Sequence, residues 1–170
     1  GIIVIARNLS SHNYLSKQLQ SRKFEKIYHA FISGNLSQEL SIEQPISRHP
    51  VNRKKMAISH NGKQAVSIIK PLQIFQKATH VEIKIITGRT HQIRVHAAHI
   101  KKPVIGDQLY GFRKNIFSKL PVILSCIDSS FGQYLHAYSL TFTDPVSKQK
   151  KKYIANYPKE YQLLLDTMNC

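Results

Sequence analysis

The densest group of side chains able to do chemistry is Gly88-Arg89-Thr90-His91-Gln92-Ile93-Arg94-Val95-His96. It follows alternating Val81, Ile83 and Ile85, a strand pattern from Val81 to Thr87 that Gly88 breaks. Thr90 can cap a helix beyond it, with Ile93, Ala97 and Ile100 as the apolar stripe and Pro103 as the stop. A strand that turns sharply into a helix N-terminus exposes unpaired amides and forms a ready anion site. Arg89 precedes this helix, and Arg94 lies one turn inside it beside apolar Ile93 and Val95. A guanidinium buried there needs a carboxylate or a phosphate. An arginine snorkelling to water from an amphipathic helix would look the same in sequence. His91, His96 and His99 share the segment, and the last two share a helix face. No His-Glu-x-x-His pattern, cysteine pair or neighbouring acid accompanies them, so solvated, surface-facing histidines are expected and no metal site.

Two other segments carry polar chemistry. In Lys26-Ile27-Tyr28, strand alternation sends Lys26 and Tyr28 to one face. A tyrosine beside cations can stack a base and offer a hydroxyl, although a lone strand tyrosine is commonly just half-buried. Ser47 to Met56 is a basic loop containing Arg48, Arg53, Lys54 and Lys55. Phosphate contact is its natural use, against the alternative of a solvated loop.

The elements that must position these groups follow from pattern and punctuation. Ile2 to Arg7 reads as a strand, and Ser10 or Ser11 can cap a helix to about Arg22 with Leu15 and Leu19 inward. Lys26 to Ser33 is a strand stopped by Gly34. Met56 to His60 and Lys63 to Ile69 flank Asn61-Gly62, a strong hairpin signal. Leu135 to Phe142 and Tyr153 to Asn156 read as strands, and Pro158 can open a helix carrying Tyr161, Leu164 and Leu165. Residues from Phe112 to Phe131 fit no single pattern. Hairpin-rich strands with a few helices indicate an α+β fold, with a mixed, mostly antiparallel sheet and a few flanking helices, over one domain at residues 1–170. No Gly-rich phosphate loop or βαβ series is present, which argues against ATP or dinucleotide binding.

Charge narrows the partner. Lys and Arg number 25 against nine acids, a formal net charge of +16. The cations recur at Arg48 to Lys55, Arg89 to Lys102 and Lys148 to Lys152, a distribution suited to a folded surface tracking a phosphate backbone. Nucleic acid is the favoured partner, ahead of a merely basic solvated surface. The cysteines, Cys126 and Cys170, give no disulfide framework, and no apolar run is long enough to span a membrane, so a reducing cytoplasm is expected.

The ordered blocks together resemble a known family. Gly88 to His96 is similar to the Gly-Arg-Thr-His-Gln-Ile/Leu-Arg-Val-His signature of ribosomal large-subunit pseudouridine synthases. Ile2 to Asn8, the Lys-x-Tyr-x-Ala of Lys26 to Ala30, Arg48-His49-Pro50, Arg53 to Met56, Gly106-Asp107 with Tyr110-Gly111, and Leu135-His136-Ala137 match in the family's order. The resemblance covers roughly Gly1 to Pro158. It departs at Lys101, where the family often ends its helix with glycine.

That resemblance implies an isomerase that detaches uracil from C1′ of the ribose and rejoins it through C5, with no redox change and no cofactor. It implies RNA as partner, 23S rRNA first and tRNA as the alternative. The family's nucleophilic aspartate stands in an Arg-Leu-Asp-x-x-Thr-Ser-Gly motif whose last residue Gly1 matches, so it is expected upstream of Gly1. The present aspartates do not replace it: Asp107 suits a turn or cap, and Asp128, Asp144 and Asp166 lack the Arg-Leu context. The 170-residue chain alone is therefore expected to be inactive. A catalytically dead RNA-binding module of the same fold is the alternative. Arg94 would be the counter-ion of the missing carboxylate, Tyr28 would pack against the flipped uracil and assist proton transfer, and Leu135 would wall the pocket. Arg48, Arg53, Lys54, Lys55 and Arg89 would hold phosphates.

Overall fold

A computed structural model describes residues 1–127 and 131–169, so Asp128 and Cys170 lie outside the described residues. A six-stranded sheet organises the chain. Its strands are β1 (Glu25–Ser33), β2 (Leu40–Glu43), β5 (Val66–Ile74), β6 (Ala78–Ile85), β7 (Leu135–Thr143) and β8 (Lys150–Ile154), in the order β2-β5-β6-β1-β7-β8. Every neighbouring pair is antiparallel. A separate two-stranded ribbon joins β3 (Ile46–Arg48) to β4 (Met56–Ile58). The helices are α1 (Leu9–Gln20), α2 (Gln92–His99), α3 (Pro121–Cys126) and α4 (Lys159–Asn169). The α+β architecture with a mostly antiparallel sheet is the one the sequence pattern indicates.

Central strand β1 is covered on both faces. Ala30 and Ile32 join Val81, Ile83, Ile93 and Ala97 in a core beneath α2. Phe31 joins Tyr134, Tyr161 and Leu164 in a second core beneath α4. A ring cluster lies on the α4 side: His29 stacks on Tyr138 at 3.8 Å and also bonds the Tyr157 hydroxyl, while His80 stacks on Phe31 at 4.8 Å. His80 is 5% exposed, and burial first, His29 second, pull its pKa down to about 4.

Helices α1 and α2 end alike. Arg22 and Lys101 adopt left-handed backbones (φ 57° and 59°), a conformation that favours glycine. Lys101 N donates to Ala98 O and Lys102 N to Ala97 O, the paired bonds of a Schellman cap; Arg22 and Lys23 repeat the arrangement on Leu19 and Gln18. The helix stop at Lys101 forms despite its side chain, and places a cation at the negative end of the helix dipole.

Several local expectations are corrected. Ile2 to Arg7 is not a strand. Ile2 N donates to Ala137 O (2.9 Å), but β7 already pairs with β1 on one edge and β8 on the other. The segment instead lays Ile2, Val4 and Ala6 against Leu15, Phe24, Leu140 and Phe142. The residues around Asn61-Gly62 make a turn, with Gly62 N donating to Ser59 O, but not a hairpin: β4 pairs with β3, and β5 with β2 and β6. Gly62 is needed for closeness, since a Cβ there would lie 2.6 Å from the Ile46 carbonyl carbon. Asn8, not a serine, caps α1 by accepting from Ser11 N at 2.8 Å. Gln18 rather than Leu19 is buried on α1, because its amide donates to Thr143 O and accepts from Thr143 N, both at 2.8 Å. These two bonds fix the roll of the helix. Strand β8 begins earlier than expected, at Lys150, because the lysine run pairs with Thr141 to Thr143.

Candidate active site

The strand-to-helix corner forms as expected, but Thr90 does not cap α2. The N-cap residue is His91, left-handed at φ 55° and making no side-chain cap bond. Gln92 secures the corner instead. Its Oε1 accepts from Thr87 Oγ1 (2.8 Å) and Arg89 N (3.0 Å), and its Nε2 donates to Val66 O and Ser67 Oγ (both 2.9 Å). All four hydrogen-bonding positions of a buried amide are filled, which fixes where the loop from 88 to 91 stands over the sheet. His96 departs from expectation. It is fully buried, between Ser67 Oγ (3.0 Å) and Gln44 O (3.1 Å), because its side of α2 faces the sheet. His99, on the outward side, is exposed.

A cavity of about 300 Å³ opens at this corner, lined by Tyr28, Ile85, Arg89, His91, Arg94 and Leu135, among others. It brings together Tyr28, Arg94, Leu135 and Arg89. Burial raises the Tyr28 phenol above its usual pKa, so it is a neutral hydroxyl at pH 7. Burial lowers that of Lys26, which lines a neighbouring apolar cleft with Tyr28. Arg48 sits in an adjoining cavity of about 490 Å³ with Lys63, and Arg89 belongs to both cavities. Arg89 Nε donates to Gln64 O at 3.0 Å. Arg53 and Lys54 are exposed on the loop between β3 and β4, with Lys55 half-buried at its end; none of the three lines either cavity. That loop has internal order: Arg48 Nη1 donates to Arg53 O, and His49 Nδ1 accepts from Val51 N and Asn52 N.

Arg94 does not snorkel. Its Nε donates to Asp107 Oδ2 at 2.7 Å and its Nη2 to Asp107 Oδ1 at 2.8 Å, a two-pronged pair with side chains 14% and 1% exposed. The bond to Asp107, ahead of the opposing effect of burial, raises the Arg94 pKa further above its ordinary value. Asp107 also plays the cap role expected from sequence, accepting from Tyr110 N at 3.2 Å. The preceding Gly106 has φ 82°, and a Cβ there would fall 1.9 Å from Gly132 O, so only glycine delivers the carboxylate to this position.

Tyr110 completes the frame. The Arg94 guanidinium lies 4.8 Å from its ring centroid, and its hydroxyl accepts from Met56 N (2.8 Å) and contacts His91 Nδ1 (2.8 Å). With Val95, Ile46 and Ala65 below, it seats the β3–β4 ribbon on α2. From sequence, His91 reads as a solvated residue, and nothing connects Asp107 or Tyr110 with Arg94. All three stood inside blocks of the family resemblance, which was the available signal.

A family model described as RNA pseudouridylate synthase matches residues 1–99. The chain belongs to that family. Among curated relatives, a ribosomal large subunit pseudouridine synthase D of Pseudomonas aeruginosa is 37% identical over 172 residues, covering 99% of this chain and 53% of its own length. An uncharacterised RNA pseudouridine synthase of Aquifex aeolicus is also 37% identical, over 95% of this chain and 51% of its own. The chain thus spans about half the length of these relatives. The solved structure of human RNA pseudouridylate synthase domain containing 4 shares the fold, with a TM-score of 0.78 at 21% identity over 99% of this chain and 71% of that one. Pseudouridine synthesis, the activity for which the family is described, is an isomerisation. Among the described residues, no helix is long and apolar enough to cross a membrane.

Proposed function

We propose that this chain supplies the uracil pocket and much of the phosphate grip of a pseudouridine synthase acting on structured RNA, with 23S rRNA in the cytoplasm as its substrate. The observation that carries this reading is the meeting of Tyr28, Arg94 and Leu135 in one cavity. In the reaction, the bond from C1′ to N1 breaks, one from C1′ to C5 forms, and a proton passes from C5 to N1. Atoms and electrons balance without a cofactor. The target uridine must leave its stack, which costs a few kcal/mol and is cheapest in loops.

Arg94 has two of its five N–H groups committed to Asp107, so its remaining donors serve the nucleophilic aspartate of an Arg-Leu-Asp motif. A positive partner keeps that carboxylate ionised and oriented. Tyr28, held neutral, stacks on the flipped base and relays a proton through its hydroxyl. Arg48, Arg53, Lys54, Lys55 and Arg89 bind phosphates and position the RNA without reading its sequence.

The test is release of tritium from RNA labelled at C5 of uridine, which follows the proton lost on rejoining. The 170-residue polypeptide alone should release none. The protein carrying the Arg-Leu-Asp segment should act on 23S rRNA transcripts in preference to tRNA, and Arg94→Ala and Tyr28→Phe should each remove turnover while RNA is still bound. Binding without turnover in that longer protein would instead favour a dead RNA-binding module. Full turnover by Tyr28→Phe would remove Tyr28 from the mechanism.

A further inference from the structure

One group on the pocket wall has no part in the chemistry above: His91. Its Nδ1 lies 2.8 Å from the Tyr110 hydroxyl, which lies 2.8 Å from Met56 N. A backbone N–H only donates, so the phenol oxygen accepts from Met56. The hydroxyl has one proton of its own, and Nδ1 is its remaining neighbour. A neutral imidazole that accepts at Nδ1 carries its proton on Nε2. The groups facing the ring agree with a neutral state. Burial and then the Arg94 charge lower its pKa, Asp107 opposes them, and Arg89 lines the same cavity. Among the described residues Nε2 has no bonding partner, and the ring borders the cavity beside Arg94.

We infer that His91 is a substrate-binding residue whose Nε2–H donates to an acceptor oxygen of the nucleotide in this pocket, its tautomer set by the Met56–Tyr110 chain. The inference rests on the synthase reading for the identity of the nucleotide. Uracil presents carbonyl oxygens at C2 and C4, whereas cytosine keeps the C2 oxygen but presents an amino group at C4, so a bond to the C4 oxygen favours uracil and one to the C2 oxygen positions the base. A phosphate oxygen beside the target nucleotide has the same acceptor chemistry.

The tautomer is tested without substrate, by ¹⁵N chemical shifts of the His91 ring at pH 7. A proton on Nε2 is expected, with Tyr110→Phe giving a mixture of tautomers. A proton on Nδ1 or an imidazolium in the wild type overturns the inference whether or not the protein acts on uridine. Substrate contact is tested in the active, longer protein with variants matched for melting temperature. His91→Gln keeps an N–H at the reach of Nε2 and should stay within about threefold of wild-type kcat/KM. His91→Asn tolerates the left-handed backbone but falls short, and should lose about tenfold. Target sites with 2-thiouridine, 4-thiouridine or a flanking methylphosphonate each weaken one acceptor. Loss of the His91→Asn penalty on one of them supports the contact and names the oxygen. An unchanged penalty on all three, or equal losses by Gln and Asn, refutes it.

Discussion

Removing the Asp107 carboxylate should destabilise the chain more than removing the whole Arg94–Asp107 pair. The two side chains are 14% and 1% exposed and joined by bonds of 2.7 and 2.8 Å, so the carboxylate is out of bulk water and the guanidinium meets it only at the cavity. Asp107→Ala leaves a guanidinium without its partner, for which about 3–5 kcal/mol is the usual cost in a buried pair. It also removes the cap on Tyr110 N, worth about 1 kcal/mol more. Asp107→Asn keeps one acceptor and the cap but loses the charge, and should cost roughly 1.5–3 kcal/mol. Arg94→Met with Asp107→Ala strands no charge. The double variant should therefore cost about 2 kcal/mol less than Asp107→Ala alone, and far less than the sum of the two single substitutions. Urea unfolding at pH 7 of the wild type, Asp107→Ala, Arg94→Met and the double variant measures this cycle, with Asp107→Asn alongside. A cost below about 1 kcal/mol for Asp107→Ala, or single effects that add within about 0.5 kcal/mol, would show that the guanidinium reaches water and that the pair does not frame the pocket.

Acid should weaken the fold through His80. Its folded pKa of about 4 lies below the ordinary 6.5, so below pH 6.5 the unfolded chain takes up a proton the folded chain refuses. Stability is full above that pH and falls by roughly 3 kcal/mol as it drops to about 4, with His29 and His136 shifted in the same direction. His80→Phe should flatten the dependence of urea midpoint on pH between 7 and 5; an unchanged slope would exclude His80 as its source. Lys101→Gly relieves a left-handed lysine at about 1–2 kcal/mol but adds unfolded-state freedom, so a net gain of about 0.5–1 kcal/mol in thermal unfolding is expected, and a loss would contradict the strain. Replacing Arg48, Arg53, Lys54 and Lys55 by glutamine should make RNA affinity less salt-dependent, reducing the slope of log K against log salt by about 3. An unchanged slope would mean that this loop does not touch phosphate.

The core was legible from sequence because its periodicity is local. Alternation marked β1, β6 and β7, and i, i+4 spacing put Ile93 and Ala97 beneath α2. Partner choice was not local. Nothing near Asn61-Gly62 says that β4 will join β3, since that depends on Ile46 passing close over Gly62. Ile2 to Ala6 has a strand's composition but meets a strand with both edges occupied. Buried polar residues misled for a related reason. Gln18, Gln92 and His96 are inside because distant backbone groups satisfy them, and sequence patterns score them as surface. Arg94, Tyr28 and Leu135, which line one cavity, stand in three separate blocks of the family resemblance. Their frame, Asp107 with Tyr110, was not legible as such, because the ion pair joins two elements across a turn.

The lysines of β8 do more than add positive charge. As an outer strand, β8 presents unpaired backbone groups along one edge, and exposed edges invite another chain to add on. Lys150, Lys151 and Lys152 lie in succession on it, while the opposite outer strand, β2, is four residues long. Lys150 and Lys151 face Glu25 and Asp144 within the chain, yet two molecules approaching edge to edge would still bring a net positive border together, so edge-to-edge stacking is expected to be disfavoured at low ionic strength. Polyanions that neutralise this border would lift the repulsion, making heparin-like contaminants or high salt the conditions under which aggregation should first be seen.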